Sequence, residues 1–141
     1  MSVKQISVFI ENKPGTMHEL TKVLAENHID MRALSLAETE GFGIVRILVD
    51  DVMETSSVLK DAGYIYQLTP VVVVAVPDEP GGLNKVLTVF TAAGINLNYM
   101  YAIPGKTTAY IIFRVEDVKL AEKELRQAGI HIADQEEISA L

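Results

Sequence analysis

The strongest constraint on this chain is an internal repeat. Moved along by 66 residues, the sequence falls on itself without a gap. Pro14-Gly15 meets Pro80-Gly81 (80 − 14 = 66), Ile29 meets Ile95, Val49 meets Val115, Asp51-Val52 meets Asp117-Val118, and Ala62-Gly63 meets Ala128-Gly129. Residues 8–63 and 74–129 share 11 of 56 positions, a low identity by itself. The matches gather, however, on residues that punctuate a backbone: proline, glycine and helix-capping aspartate. Whatever order of elements one half adopts, the other must adopt too.

Each copy reads strand, helix, strand, strand, helix, strand. The first strands are Gln5–Ile10 and Val71–Val76. Helices follow at 16–27 and 83–93, with Met17, Leu20 and Leu24 on one face and Leu83, Val86 and Phe90 at the same spacing in the copy. Second strands are expected at Met31–Ala37 and Leu97–Ile103, third strands at Gly43–Val49 and Ala109–Val115. Asp51 and Asp117 are placed to cap second helices that Gly63 and Gly129 stop. Fourth strands lie at Tyr64–Leu68 and Ile130–Ala133, and Asp134-Gln135-Glu136-Glu137 can start a short terminal helix. This order predicts an α+β chain of two tandem ferredoxin-like βαββαβ sandwiches, each an antiparallel sheet with helices on one face. The domains are 1–69 and 70–141. The join is little more than Thr69-Pro70, so the two are expected to move as one rigid body.

Alternation in the third strand assigns the faces. Val45, Ile47 and Val49, like Ile111, Phe113 and Val115, should face the helices. The other face then carries Ile44, Arg46 and Leu48, or Tyr110, Ile112 and Arg114. It is more apolar than a solvated surface needs, which predicts a homodimer that buries it.

Composition narrows the function. The 141 residues carry a net charge of −7, with both halves acidic, which argues against nucleic acid or an anionic membrane as partner. With no cysteine there is no disulfide, thiolate metal site or thiol nucleophile. The apolar run Val71–Val76 is far too short to span a bilayer, and Met1-Ser2-Val3-Lys4-Gln5 is not an apolar leader, so the cytoplasm is the expected location. His18, His28 and His131 form no metal-ligand spacing, so neither metal nor cofactor is expected. Gly41-Phe42-Gly43 precedes a strand rather than a helix and reads as a hairpin turn, not a dinucleotide loop.

What remains is the turn between first strand and first helix: Glu11-Asn12-Lys13-Pro14-Gly15-Thr16-Met17 and Asp78-Glu79-Pro80-Gly81-Gly82-Leu83. Proline suits a helix start, and glycine leaves backbone amides there uncovered, a setting that attracts a carboxylate or phosphate. Fifteen residues after each proline a polar residue, Asp30 or Asn96, opens the second strand. Asp78-x-Pro-Gly-Gly-Leu followed by Ala93-Gly94-Ile95-Asn96-Leu97 resembles the pattern of the ACT domain. The first copy resembles it too, with Met17 in place of the usual leucine. The resemblance spans nearly the whole chain, as two tandem modules with no attached enzyme.

That resemblance implies a small-molecule sensor, commonly of amino acids, acting on a partner enzyme. It also implies modules paired edge to edge through their second strands, with ligand held where the turn of one module meets the second strand of its neighbour. The implied binding residues are Asn12, Pro14, Gly15, Thr16, Met17 and Asp30 in one copy, and Asp78, Pro80, Gly81, Gly82, Leu83 and Asn96 in the other. Asp30 stands where asparagine is frequent in the family, which leaves open whether the two sites match. A site made within one repeat would pair Asn12 with Asp30 and Asp78 with Asn96. A shared one would pair Asn12 with Asn96 and Asp78 with Asp30. Charge alone leaves both arrangements open. The competing readings are a ligand-free interaction module and an acylphosphatase-like enzyme on the same sandwich. The enzyme would need an arginine at the turn, where neither copy has one.

Overall fold

The computed structural model describes residues 2–141. Contacts divide these into two bodies. One comprises Lys4–Thr69 with Glu136–Leu141, the other Pro70–Gln135 with Ser2 and Val3.

The first body is built from β1 (Val3–Glu11), α1 (Thr16–Glu26), β2 (Met31–Thr39), β3 (Phe42–Val49), α2 (Val52–Asp61) and the opening residues of β4 (Ile65–Pro77). Its strands run in the order β4-β1-β3-β2. Antiparallel registers set Ile6 opposite Ile47 and Leu36 opposite Val45, with a bulge between Met31 and Ala33. The period-2 alternation turns Ile6, Val8, Val45 and Ile47 toward the helices, where Leu20 and Leu24 of α1 and Leu59 of α2 complete the core. Each such fully buried side chain contributes about 1.5–3 kcal/mol. Asp51 caps α2, its carboxylate accepting the Glu54 amide at 3.0 Å.

The second body repeats the plan with the rest of β4, α3 (Gly82–Ala93), β5 (Leu97–Ile103), β6 (Thr108–Val115), α4 (Val118–Gln127) and β7 (His131–Ala133). Here the order is β7-β4-β6-β5. Val72, Val74, Ile111 and Phe113 meet Val86 and Phe90 of α3 and Leu125 of α4. The Phe90 and Phe113 rings stand edge to face at 5.1 Å. Asp117 caps α4 through the Leu120 amide at 3.0 Å. Gly94, at φ +70°, ends α3 in the left-handed conformation glycine tolerates best.

Three features depart from the sequence reading. First, β4 is a single strand in which the Thr69-Pro70 join is internal. The Pro70 carbonyl accepts from Arg114 Nη1 at 3.0 Å. Second, Leu48 and Ile112, on the sheet face expected to await another copy, are already fully buried within the chain, whereas Ile44 and Tyr110 on that face are half-buried. Third, the terminal helix α5 (Gln135–Ser139) has most of its residues in the body of the first repeat. Arg32 holds it there, donating to the carbonyls of Leu141 and Ser139, while Ser139 Oγ donates to the Asp50 carbonyl at 2.7 Å.

Candidate functional site

Both turns form as the sequence implies. Gly15 and Gly81 precede their helices at φ +91°, a left-handed conformation that glycine adopts readily and β-branched residues do not. Neither α1 nor α3 has a side-chain cap. The first-turn amides of Leu83 and Asn84 therefore lack an intrahelical partner, the ordinary state of helix N-termini.

In the second repeat the turn borders a cavity of about 230 Å³. Asp78, Glu79, Gly82 and Leu83 form its wall on the turn side, with Val76 and Pro77 from the end of β4. Met100 and Ala102 of β5, Pro104 beyond it, and Ala109 and Ile111 of β6 close the other side. The lining is apolar except for two carboxylates at the turn. No hydrogen bond or ion pair ties the Asp78 side chain to another described residue, while its backbone amide donates to the Thr107 carbonyl at 2.9 Å. Leu83, expected on the core face of α3, is 37% exposed and faces this space. A Cβ on Gly82 would stand 2.8 Å from the Pro77 carbonyl oxygen, so the turn closes this tightly only with glycine there.

In the first repeat the matching residues are engaged elsewhere. Thr16 Oγ1 hydrogen-bonds the carbonyls of Glu11 and Lys13 at 2.7 and 3.0 Å. Lys13 pairs with Glu11 at 2.9 Å, and that hydrogen-bonded carboxylate raises the ammonium pKa above its ordinary value. Met17 packs against the core. A larger hollow of about 420 Å³, lined by Phe9, Ile10, Glu11, Phe42 and Ile65, contains none of the twelve residues that the ACT pattern implies. It is a shallow apolar depression, with Ile65 73% exposed.

The residues opening the second strands lie far from the turns of their own repeats. Asn96 immediately precedes Leu97, which is in register with Val115. The cavity instead uses Ala102, in register with Ile111 near the other end of β5. At about 3.3 Å per residue the six positions from Asn96 to Ala102 span roughly 20 Å. In the first repeat Asp30 precedes Met31, opposite Val49, whereas Asn12 follows Glu11, opposite Phe42. The eight-residue length of β3 separates the two ends. Neither Asn12 with Asp30 nor Asp78 with Asn96 is therefore brought together within a repeat. Asp30 instead forms an ion pair with Arg32 at 3.2 Å and accepts through its carbonyl from the Asp50 amide at 3.3 Å. Strand β2 is hydrogen-bonded to β3, and β5 to β6, with no second neighbour among the described residues; the edge-to-edge pairing of second strands is not made within the chain. Among those residues no cluster of three or more His, Asp or Glu could hold a metal ion.

Sequence reasoning missed Met100, Ala102, Pro104, Ala109 and Ile111. The signal was in the repeat: Ala102 replaces the Leu36 of the first copy, a small residue on the helix-side face of an edge strand.

A duplicated βαββαβ sandwich, with a glycine turn feeding the first helix of each copy, is a pair of tandem ferredoxin-like modules. The chain belongs to the ACT domain pair family, whose profile matches residues 1–141. Protein BT0572 from Bacteroides thetaiotaomicron is 33% identical over 100% of this chain and 98% of its own, with a TM-score of 0.95. The regulatory subunit of aspartate kinase from Thermus thermophilus, in its ligand-free form, shares the fold at 18% identity and a TM-score of 0.66, over 90% of this chain and 93% of that one. Its counterpart from Thermus flavus does so at 17% identity and 0.62, over 92% and 94%. None of the curated proteins matches the chain. No helix among the described residues is long and apolar enough to cross a membrane.

Proposed function

We propose that the chain is a regulatory protein that binds a free amino acid, has no catalytic activity of its own, and acts on a partner enzyme of amino-acid metabolism. The observation that carries this reading is the cavity at the second Pro-Gly turn. It offers apolar walls for a side chain, the Asp78 carboxylate for an ammonium, and the open Leu83 amide in the first turn of α3 for a carboxylate. The family supports the sensing role, and the shared fold with aspartate kinase regulatory subunits supports a partner enzyme. A core without cysteine requires no oxidising compartment, in keeping with action in the cytoplasm. A thermal-shift screen against the twenty amino acids tests the reading, since a ligand that binds only the native state raises its apparent stability. The expected outcome is a saturable rise with a small subset of them; no shift with any would contradict it.

We further propose that the protein works as a homodimer. Strand β2 presents an open edge with Leu34 and Leu36 half-exposed on it. An apolar open edge is a template for a second copy.

A further inference from the structure

Laying the cavity of the second repeat onto the first by the 66-residue shift shows that the two positions are not equivalent. Ala102 and Ala109 become Leu36 and Gly43, which together carry two more side-chain carbons. The added volume comes from Leu36: a Cβ on Gly43 would stand 3.3 Å from Leu36 Cδ1, so this methyl lies over the glycine. Gly82 becomes Thr16, whose hydroxyl already occupies the Glu11 and Lys13 carbonyls. Leu83, exposed toward the cavity, becomes Met17, drawn down onto the core. The charges change as well. Asp78 and Glu79 become Asn12 and Lys13, the latter neutralised by Glu11. Lys85 in the first turn of α3 becomes Glu19 in the first turn of α1. An ammonium loses its acids, and a carboxylate meets one.

We infer that each chain holds a single ligand, an amino acid with an aliphatic side chain, in the cavity of the second repeat, and that Leu36 and Thr16 close the matching position of the first. The inference rests on the proposed amino-acid-binding function and adds to it a count and a ligand class. The class follows from the walls. Val76, Leu83, Met100, Ala102 and Ile111 offer a side chain dispersion contacts and no hydrogen-bonding group, so an acidic or amide side chain would be desolvated there without compensation, the carboxylates of Asp78 and Glu79 repelling an acidic one as well. The volume, about 230 Å³, suits one small molecule rather than a peptide.

The test is titration calorimetry of the full chain with L-valine, L-isoleucine, L-leucine and L-methionine, with L-lysine, L-aspartate and L-glutamine as contrasts. The expected result is one equivalent of an aliphatic amino acid per chain. Ala102→Leu, checked for an unchanged circular dichroism spectrum, should weaken binding at least ten-fold; Leu36→Ala should leave affinity within two-fold and stoichiometry at one, because Thr16 and the Lys13–Glu11 pair still deny the first position a ligand. The wild-type stoichiometry stands even if Ala102→Leu fails to fold. Two equivalents per chain, loss of binding in Leu36→Ala but not in Ala102→Leu, or heat only from the contrast amino acids would overturn this inference while leaving amino-acid binding itself intact. Absence of heat from every amino acid would overturn both.

Discussion

Arg32 Nη2 donates to the Ser139 carbonyl at 3.0 Å, tying the start of β2 to a helix more than a hundred residues later in the chain. The guanidinium meets the carbonyl end of α5, where a cation is favoured. Hydrogen bonds to a charged group are worth about 1.5–3 kcal/mol. Arg32→Ala should therefore lower the stability of the first body by about 2 kcal/mol in urea denaturation, and Arg32→Lys should recover part of it. Asp30→Ala should cost under about 1 kcal/mol, because the Asp30 carboxylate of its pair with Arg32 is largely solvent-exposed. Wild-type stability in Arg32→Ala would show that α5 is held by other contacts.

A chain cut after Gln135 should lose stability in the body of Lys4–Thr69, although the deletion falls in the second repeat by sequence. Ile138, fully buried, goes with it, and removing a buried aliphatic side chain costs roughly 2–5 kcal/mol. Hydrogen exchange resolved by residue would locate the loss. Protection falling first around α4 and β7 would contradict this assignment.

Gly82→Ala should destabilise the second body by about 1–3 kcal/mol, because the added Cβ would press on the Pro77 carbonyl. Asp51→Ala and Asp117→Ala should each cost about 1 kcal/mol, the ordinary loss of a helix N-cap, and equally in the two repeats. Denaturant midpoints measure all three. A Gly82→Ala protein as stable as wild type would mean that the turn opens without penalty.

If the open edge of β2 makes the homodimer, light scattering should give twice the 15.5 kDa chain mass, and Leu36→Lys should shift it toward monomer. Ile112→Arg should instead unfold the protein, since that side chain is already buried within the chain and an unpaired buried charge is costly. A folded, monomeric Ile112→Arg would return the dimer surface to that sheet face.

The elements were legible because their signals are local. The aspartates that cap α2 and α4, the glycines at φ +91° and the alternation of Val45, Ile47 and Val49 each act within a few residues, and duplication stated each one twice. The site was half legible. Asp78, Gly82 and Leu83 stand in a readable motif, but Ala102 and Ile111 reach them through strand register, which pattern alone does not supply. What the sequence could not show depends on distant packing. Leu48 reads as an outward residue by alternation and is buried all the same, and nothing near residue 138 says that α5 belongs beside Arg32.

The central claim, that the second turn binds an amino acid through its own side chains, is tested most directly by titrating the best-binding aliphatic amino acid into wild type and Asp78→Ala. Asp78 has no structural partner for its carboxylate, so its removal should leave the fold and its melting temperature unchanged. Loss of the ammonium's charged acceptor should weaken binding by about 1.5–3 kcal/mol, a ten- to hundred-fold rise in Kd. Wild-type affinity in a folded Asp78→Ala protein would contradict the account.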